Sequence, residues 1–154
     1  MLKACVVTIR RLFVAFVCGV VPFAVWADDI GHFKVAKGSV YIERGGQRLA
    51  AQVGTGLQTT DVVVTGADGS AGITFSDNSL LSVGPGSVLA IERYAFDPSK
   101  NDGAFESTLR KGTLSVVSGK IAKQSPDAMK VKTPSSILGV RGTEFLVRTG
   151  DAVD

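Results

Sequence analysis

The sequence predicts an all-β domain built from short strands. Apolar and polar residues alternate over short runs, and Gly, Asp, Asn, Ser or Pro interrupts those runs about every eight to twelve residues. No long stretch keeps the period of an amphipathic helix. Strands of this length curl into a β-roll or solenoid-like coil, or pack face to face as a two-sheet sandwich. The roll is the expected arrangement and the sandwich its alternative.

Residues 1–27 are read as an export signal and kept out of the fold. Lys3, Arg10 and Arg11 make a positive start, Leu12–Val25 is apolar apart from an interruption at Pro22, and Val25-Trp26-Ala27 precedes an expected cut at Asp28. The apolar stretch falls short of the roughly 20 residues that a spanning helix needs. Cys18 follows the bulky pair Phe16-Val17, which argues against a lipoprotein cut there. Removal of this leader changes the charge. Of 17 Lys and Arg, three lie in it, so 14 remain against 14 Asp and Glu and the mature chain is formally neutral. A neutral exported chain lacks the counterion release that drives nucleic-acid binding. Cys5 and Cys18 leave with the leader, and with them go disulfides, thiolate nucleophiles and cysteine-ligated metals. The 154 residues less these 27 leave 127, enough for one domain with its own core. Residues 28–53 are assigned to N-terminal strands and 54–147 to the main body, with 28–154 expected to fold as one unit.

Along the mature chain, Val40–Arg44 and Gln47–Ala51 flank Gly45-Gly46, the signal of a hairpin with a two-residue primed turn. Val62–Val64 and Ala71–Phe75 follow around the turn Gly66-Ala67-Asp68-Gly69, and Ala71, Ile73 and Phe75 share a face. Asp77-Asn78 turns the chain into Leu80–Val83. Gly84-Pro85-Gly86 turns it again into Val88–Tyr94, where Leu89 and Ile91 share a face. The loop "DPSKNDG", 97–103, leads to runs at Ala104–Leu109, Thr113–Val117, Met129–Thr133 and Ile137–Arg148. The one helical exception is expected within Ile121–Met129, where Ser125-Pro126-Asp127 suits the start of a single turn.

The segment "TTDVVVTGADGSAGITFSDNSLLSVGPGSVLAIERYAFDP", followed by "LRKGTLSVVSGKI" and "VKTPSSILGVRGTEFLV", resembles the FecR domain, named after the periplasmic part of the ferric-citrate regulator. The resemblance covers about Gly54 to Val147 and consists of several motifs in order. It implies a periplasmic sensory or interaction domain. FecR regulators are one-pass inner-membrane relays whose cytoplasmic segment holds a sigma factor. Here only about ten residues precede the apolar stretch, too few to fold such a segment. The expectation is therefore a stand-alone exported FecR-domain protein of a Gram-negative bacterium. Within the resembling motifs, Gly69, Gly84, Gly86, Thr133, Pro134, Gly139 and Gly142 are assigned structural roles.

The residue inventory argues against catalysis, and no cofactor or metal is expected. His32 is the one histidine, at the margin of the domain, so a Ser-His-Asp triad or a zinc site has little to build on. "GTLSVVSGKI" is not a phosphate loop, because Gly112 and Gly119 are seven apart and Ile121 follows Lys120 where Ser or Thr belongs. "DPSKNDG" lacks the sixth-place glycine and closing glutamate of a calcium loop, and reads as a hairpin or crossover connection. Glu43, Glu92, Glu106 and Glu144 are the carboxylates that a hydrolytic pair would draw on, and no local feature singles out two of them.

"TPSSILGVRGTEFLVRTG" places Arg141 and Glu144 around Gly142 in an apolar run. In a regular strand these two charges point to opposite faces, so they can pair only if Gly142 bends the chain. The expectation is a structural lock, with Arg141 reaching across neighbouring turns to backbone carbonyls, Thr143 and Glu144 completing the network, and Val140, Phe145 and Val147 filling the core. The competing reading makes Arg141, Thr143 and Glu144 a binding site for an anionic partner group. Two functions follow: a regulatory or scaffolding module that recognises another envelope protein, for instance by strand addition, or a binder of cell wall or carbohydrate. Scarcity of exposed-type aromatics, with two Tyr and the one Trp in the leader, favours the first.

Overall fold

The computed structural model describes residues 28–141 and 144–150. The expected leader, Gly142 and Thr143 lie outside the described residues. The expectation of an all-β chain holds. The strands are β1 (Gly31–Lys37), β2 (Val40–Arg44), β3 (Gln47–Ala50), β4 (Gly56–Leu57), β5 (Val62–Thr65), β6 (Ser70–Phe75), β7 (Leu80–Val83), β8 (Val88–Asp97) and β9 (Asp102–Val117). After a short helix α1 (Lys120–Gln124) and a 3₁₀ turn (Pro126–Ala128) come β10 (Met129–Lys132), β11 (Ile137–Gly139) and β12 (Glu144–Thr149).

These strands form one curled sheet in the order β3-β2-β5-β8-β9-β7-β6-β1-β4, with β10 and β12 joined to β9 and β11 joined to β10. Every pairing is antiparallel except β10 with β9. The rolled arrangement is thus realised by antiparallel curling rather than by stacked parallel coils. The N-terminal strands belong to the same sheet, because β1 pairs with β6 and β2 with β5.

Strand β9 makes the curl possible. Its first half pairs with β8 and β10, its second half with β7 and β12. Between the halves Val88 faces Lys111 while Leu89 faces Leu109, so Arg110 is an extra, unpaired residue. Such a bulge reverses which side chains point inward. Phe105 and Leu109 face the core before it, Leu114 and Val116 after it. Gly112 completes the bend at φ +94, a conformation that costs glycine nothing. A second bulge in β8 skips Glu92, which moves the inward positions from Leu89 and Ile91 to Tyr94 and Phe96.

The core includes Phe33, Ile42, Leu57, Phe75, Phe105 and Leu114. Phe75, Tyr94 and Phe105 cluster with ring centroids 4.7–5.4 Å apart. The hairpin at Gly45-Gly46 is as expected, with φ of 56 and 78 at the two glycines. Two expectations change. Ala104–Leu109 and Thr113–Val117 are one strand across a bulge. Ile137–Arg148 is two strands, because the buried Val140 donates its N–H to Met129 O (3.0 Å) and the chain then leaves β10 for β9. The single turn expected at Ser125-Pro126-Asp127 is present as the 3₁₀ turn Pro126–Ala128 with Ser125 at its N-cap, and a short helix not expected from the sequence, Lys120–Gln124, precedes it.

Candidate functional site

The region singled out in the sequence sits at one margin of the curled sheet. Strand β10 turns into β11 at Thr133–Ser136, where Thr133 and Ser136 exchange hydrogen bonds through the Thr133 N–H and hydroxyl (2.8–3.2 Å). The chain passes Gly139, Val140 and Arg141 and returns as β12 along the second half of β9, with Glu144 opposite Val117 and Thr149 opposite Gly112. Among the described residues β12 has a partner on this side alone, and β11 is likewise paired only with β10. An open cleft of about 550 Å³ separates the Thr133–Ser136 turn and Leu138 from the Leu146–Gly150 segment. Leu146, which lines it, stands 68% exposed, and Ile137, between the lining residues Ser136 and Leu138, 69%.

The structural-lock expectation for Arg141 is overturned. Its side chain is 78% exposed, and among the described residues its guanidinium pairs with the exposed Asp127 carboxylate alone, at 3.6 Å. The physical reason is the break between β11 and β12: Val140 takes the inward position and Arg141, the next residue, points out. Glu144 is exposed on β12, and Thr143 lies outside the described residues, as does Gly142. Phe145 and Val147 do pack inward.

The locks of this fold are elsewhere. Arg44 holds the fully buried Asp61 side-on, with Nε donating to Oδ1 (2.8 Å) and Nη2 to Oδ2 (2.6 Å), and Nη2 also reaches Gly56 O (3.1 Å). The Gln58 N–H donates to the same carboxylate (2.8 Å). That hydrogen bonding, countered by some desolvation, holds the Arg44 guanidinium above its ordinary range. The buried Asp77 carboxylate accepts from the Ser79 N–H and hydroxyl (3.1 and 2.7 Å), the Tyr94 hydroxyl (3.3 Å) and the Ile121 N–H (3.4 Å). Its backbone carbonyl accepts from the Lys120 N–H (2.8 Å), so the "FSDNS" turn pins the start of α1. Burial, then the charge of Asp77, raises the Tyr94 phenol well above its usual value.

The glycines assigned structural roles differ in what they do. A Cβ at Gly69 would collide with the Ser39 carbonyl oxygen, and Gly86 sits at φ +59. Gly84 donates its N–H to Thr113 O (2.9 Å). Gly139 faces open space. Pro134 lines the cleft.

Of the four glutamates, two come together. Glu92 and Glu106 flank Lys132, whose Nζ lies 2.8 and 3.1 Å from their carboxylates. Hydrogen bonds from Lys132 and from the Thr108 hydroxyl (2.6 Å) pull Glu92 below the usual carboxylate range. A single lysine thus bridges and occupies both carboxylates. Glu43 is occupied by Arg48 (3.2 Å). His32 is exposed on β1 and distant in register from these groups. The "DPSKNDG" loop is the β8–β9 hairpin, where the Asp97 carboxylate accepts from the Ser99 N–H and hydroxyl. No cluster of metal-ligating side chains occurs among the described residues, and none of their helices is long and apolar enough to cross a membrane.

No curated protein and no solved structure matches the chain. Residues 61–153, however, match the family described as FecR protein. The match begins at the buried Asp61 and runs through β5 to β12, so it takes in the Asp77 turn, both halves of β9 and the open margin; the chain belongs to the FecR family.

Proposed function

We propose that this chain is an exported, non-enzymatic module of envelope signalling that recognises another protein by accepting a strand at the free edge of β12. The observation that carries the reading is that edge itself. It runs six residues, it borders an open cleft, and exposed Ile137 and Leu146 flank it. Natural sheets cover, charge or shorten such edges unless they are used. The two ends of the main strand order are blunted: β4 is two residues long, and β3 carries Arg48, which lies over the Tyr41 ring at 4.2 Å. Family membership supports a regulatory role.

A cell-wall ligand would require a different lining. The cleft presents Thr133, Ser136, Arg148 and Thr149 without one aromatic ring on which a sugar would stack. The test is capture from intact periplasm, run beside binding to purified peptidoglycan, with the natural chain and with Leu146→Pro, an exposed position where proline removes a backbone donor from the outer edge of β12. Protein capture that the proline abolishes supports the reading; peptidoglycan binding that it spares overturns it. Export is tested separately. N-terminal sequencing of the fractionated protein is expected to begin at Asp28 in the periplasm, and recovery of intact Met1 chains in membranes would contradict it.

A further inference from the structure

We infer that the strand received at the β12 edge is the β12 of a second copy of this chain, paired antiparallel about a two-fold axis at Leu146. The inference rests on the edge-docking reading and names its partner. Along β12 the exposed face carries Glu144, Leu146 and Arg148, while Phe145 and Val147 face inward. Residues directly opposite each other in an antiparallel pair project to the same face. Centred on Leu146, self-pairing therefore sets Glu144 against Arg148 of the second copy, Leu146 against its own counterpart, and Arg148 against Glu144. Both charges are satisfied twice over by symmetry, as an isologous interface requires.

The alternative registers show that the match is specific. Sliding the pair so that it centres on Phe145 or Val147 sets Leu146 against a charged residue and dissolves both ion pairs. A further slide, to a centre at Glu144 or at Arg148, places like charges face to face, which is destabilising. Only the register at Leu146 gives opposite charges and an apolar contact together. It also accounts for Leu146, which stands 68% exposed. Glu144 and Arg148 appear in no ion pair within their own chain among the described residues.

The experiment is sedimentation equilibrium on protein purified from the envelope fraction of cells expressing the full chain. Concentrations up to about 1 mM suit the weak dimer that a one-strand interface allows. The natural chain is expected to dimerise with concentration. Glu144→Arg and Arg148→Glu are each expected to be monomeric, since symmetry doubles the repulsion. An equimolar mixture of the two is expected to form a heterodimer, because one copy then carries two arginines and the other two glutamates. The double reversal is expected to restore the homodimer. Because both side chains are exposed, melting curves of the single variants should match that of the natural chain, and the rescue by mixing excludes misfolding as the cause of monomers. A natural chain that stays monomeric, a dimer indifferent to the single reversals, or a mixture that stays monomeric overturns the inference. If the natural chain is monomeric while Leu146→Pro still abolishes protein capture, self-pairing fails and edge docking stands; if neither depends on β12, both fail.

Discussion

Arg44 and Asp61 meet with two parallel hydrogen bonds of 2.8 and 2.6 Å, the aspartate wholly buried and the arginine one-third exposed. The pair ties the N-terminal hairpin to the turn before β5. Arg44→Met would leave a buried carboxylate that still accepts from the Gln58 N–H but has lost its counter-charge. Loss of about 3–5 kcal/mol is expected, because breaking one side of a buried pair strands the other charge. Arg141→Ala is expected to stay within about 0.5 kcal/mol, as exposed pairs contribute little. Urea unfolding of the two variants beside the natural chain checks the contrast. Equal losses would return the lock to Arg141.

Tyr94 donates to Asp77 and accepts from its N–H, closing the network beneath α1. Tyr94→Phe keeps the aromatic cluster and removes these bonds, at an expected cost of about 1–2 kcal/mol. It should also change the alkaline limb of stability. Because the folded phenol ionises above the unfolded one, whose value is 10.0, its stabilisation is whole below that pH and is lost as pH rises towards the folded value. Melting temperature followed from neutral pH to about 11 should fall less steeply for Tyr94→Phe than for the natural chain. Parallel curves would show that Tyr94 does not carry the alkaline loss.

Gly112 stands at φ +94 with Ser87 packed where a side chain would begin. Gly112→Ala is therefore expected to cost about 2–4 kcal/mol from steric conflict and backbone strain together. Gly139→Ala, in open space, should be close to neutral. Thermal unfolding of both checks the pair of outcomes, and a mild Gly112 variant would mean that the bend tolerates another path.

Ser107 points its hydroxyl into the core, is 1% exposed, and finds no hydrogen-bond partner among the described residues. Ser107→Ala removes an unsatisfied buried group and is expected to stabilise the protein by roughly 0.5–1 kcal/mol. Chemical denaturation gives the sign directly. Destabilisation would reveal a partner for that hydroxyl.

Most strands could be read from the sequence because each is framed by its own turn residues. Gly45-Gly46 and Gly66–Gly69 act locally, and the inward positions of β6 follow simple alternation. The bulges were not legible. At Arg110 the alternation breaks, and a broken period looks the same whether the chain loops out or carries one unpaired residue. That is why β9 was expected as two runs. The candidate site fared similarly. Arg141 drew notice because it is a charge in an apolar run, yet its direction depends on where β11 stops, which Val140 settles by its bond to Met129. The true locks were hidden in ordinary turn chemistry. Asp61 and Asp77 look like solvent-facing turn residues, and only the approach of Arg44, Tyr94 and α1 from distant parts of the chain buries them.

Strand β9 has a neighbour on each edge along most of its length, whereas β12 leans, among the described residues, on β9 alone. Release of β12 would leave β7 and β9 still paired through Val83 and Leu114. Amide hydrogen exchange should therefore divide the molecule in two. The β9 amides facing β7 and β8 would exchange only with global unfolding, while those of β12 would open on their own at far smaller free energy. An element that can detach without tearing the sheet can be exchanged for another of the same shape, so the fold can trade its last strand while its core stays closed.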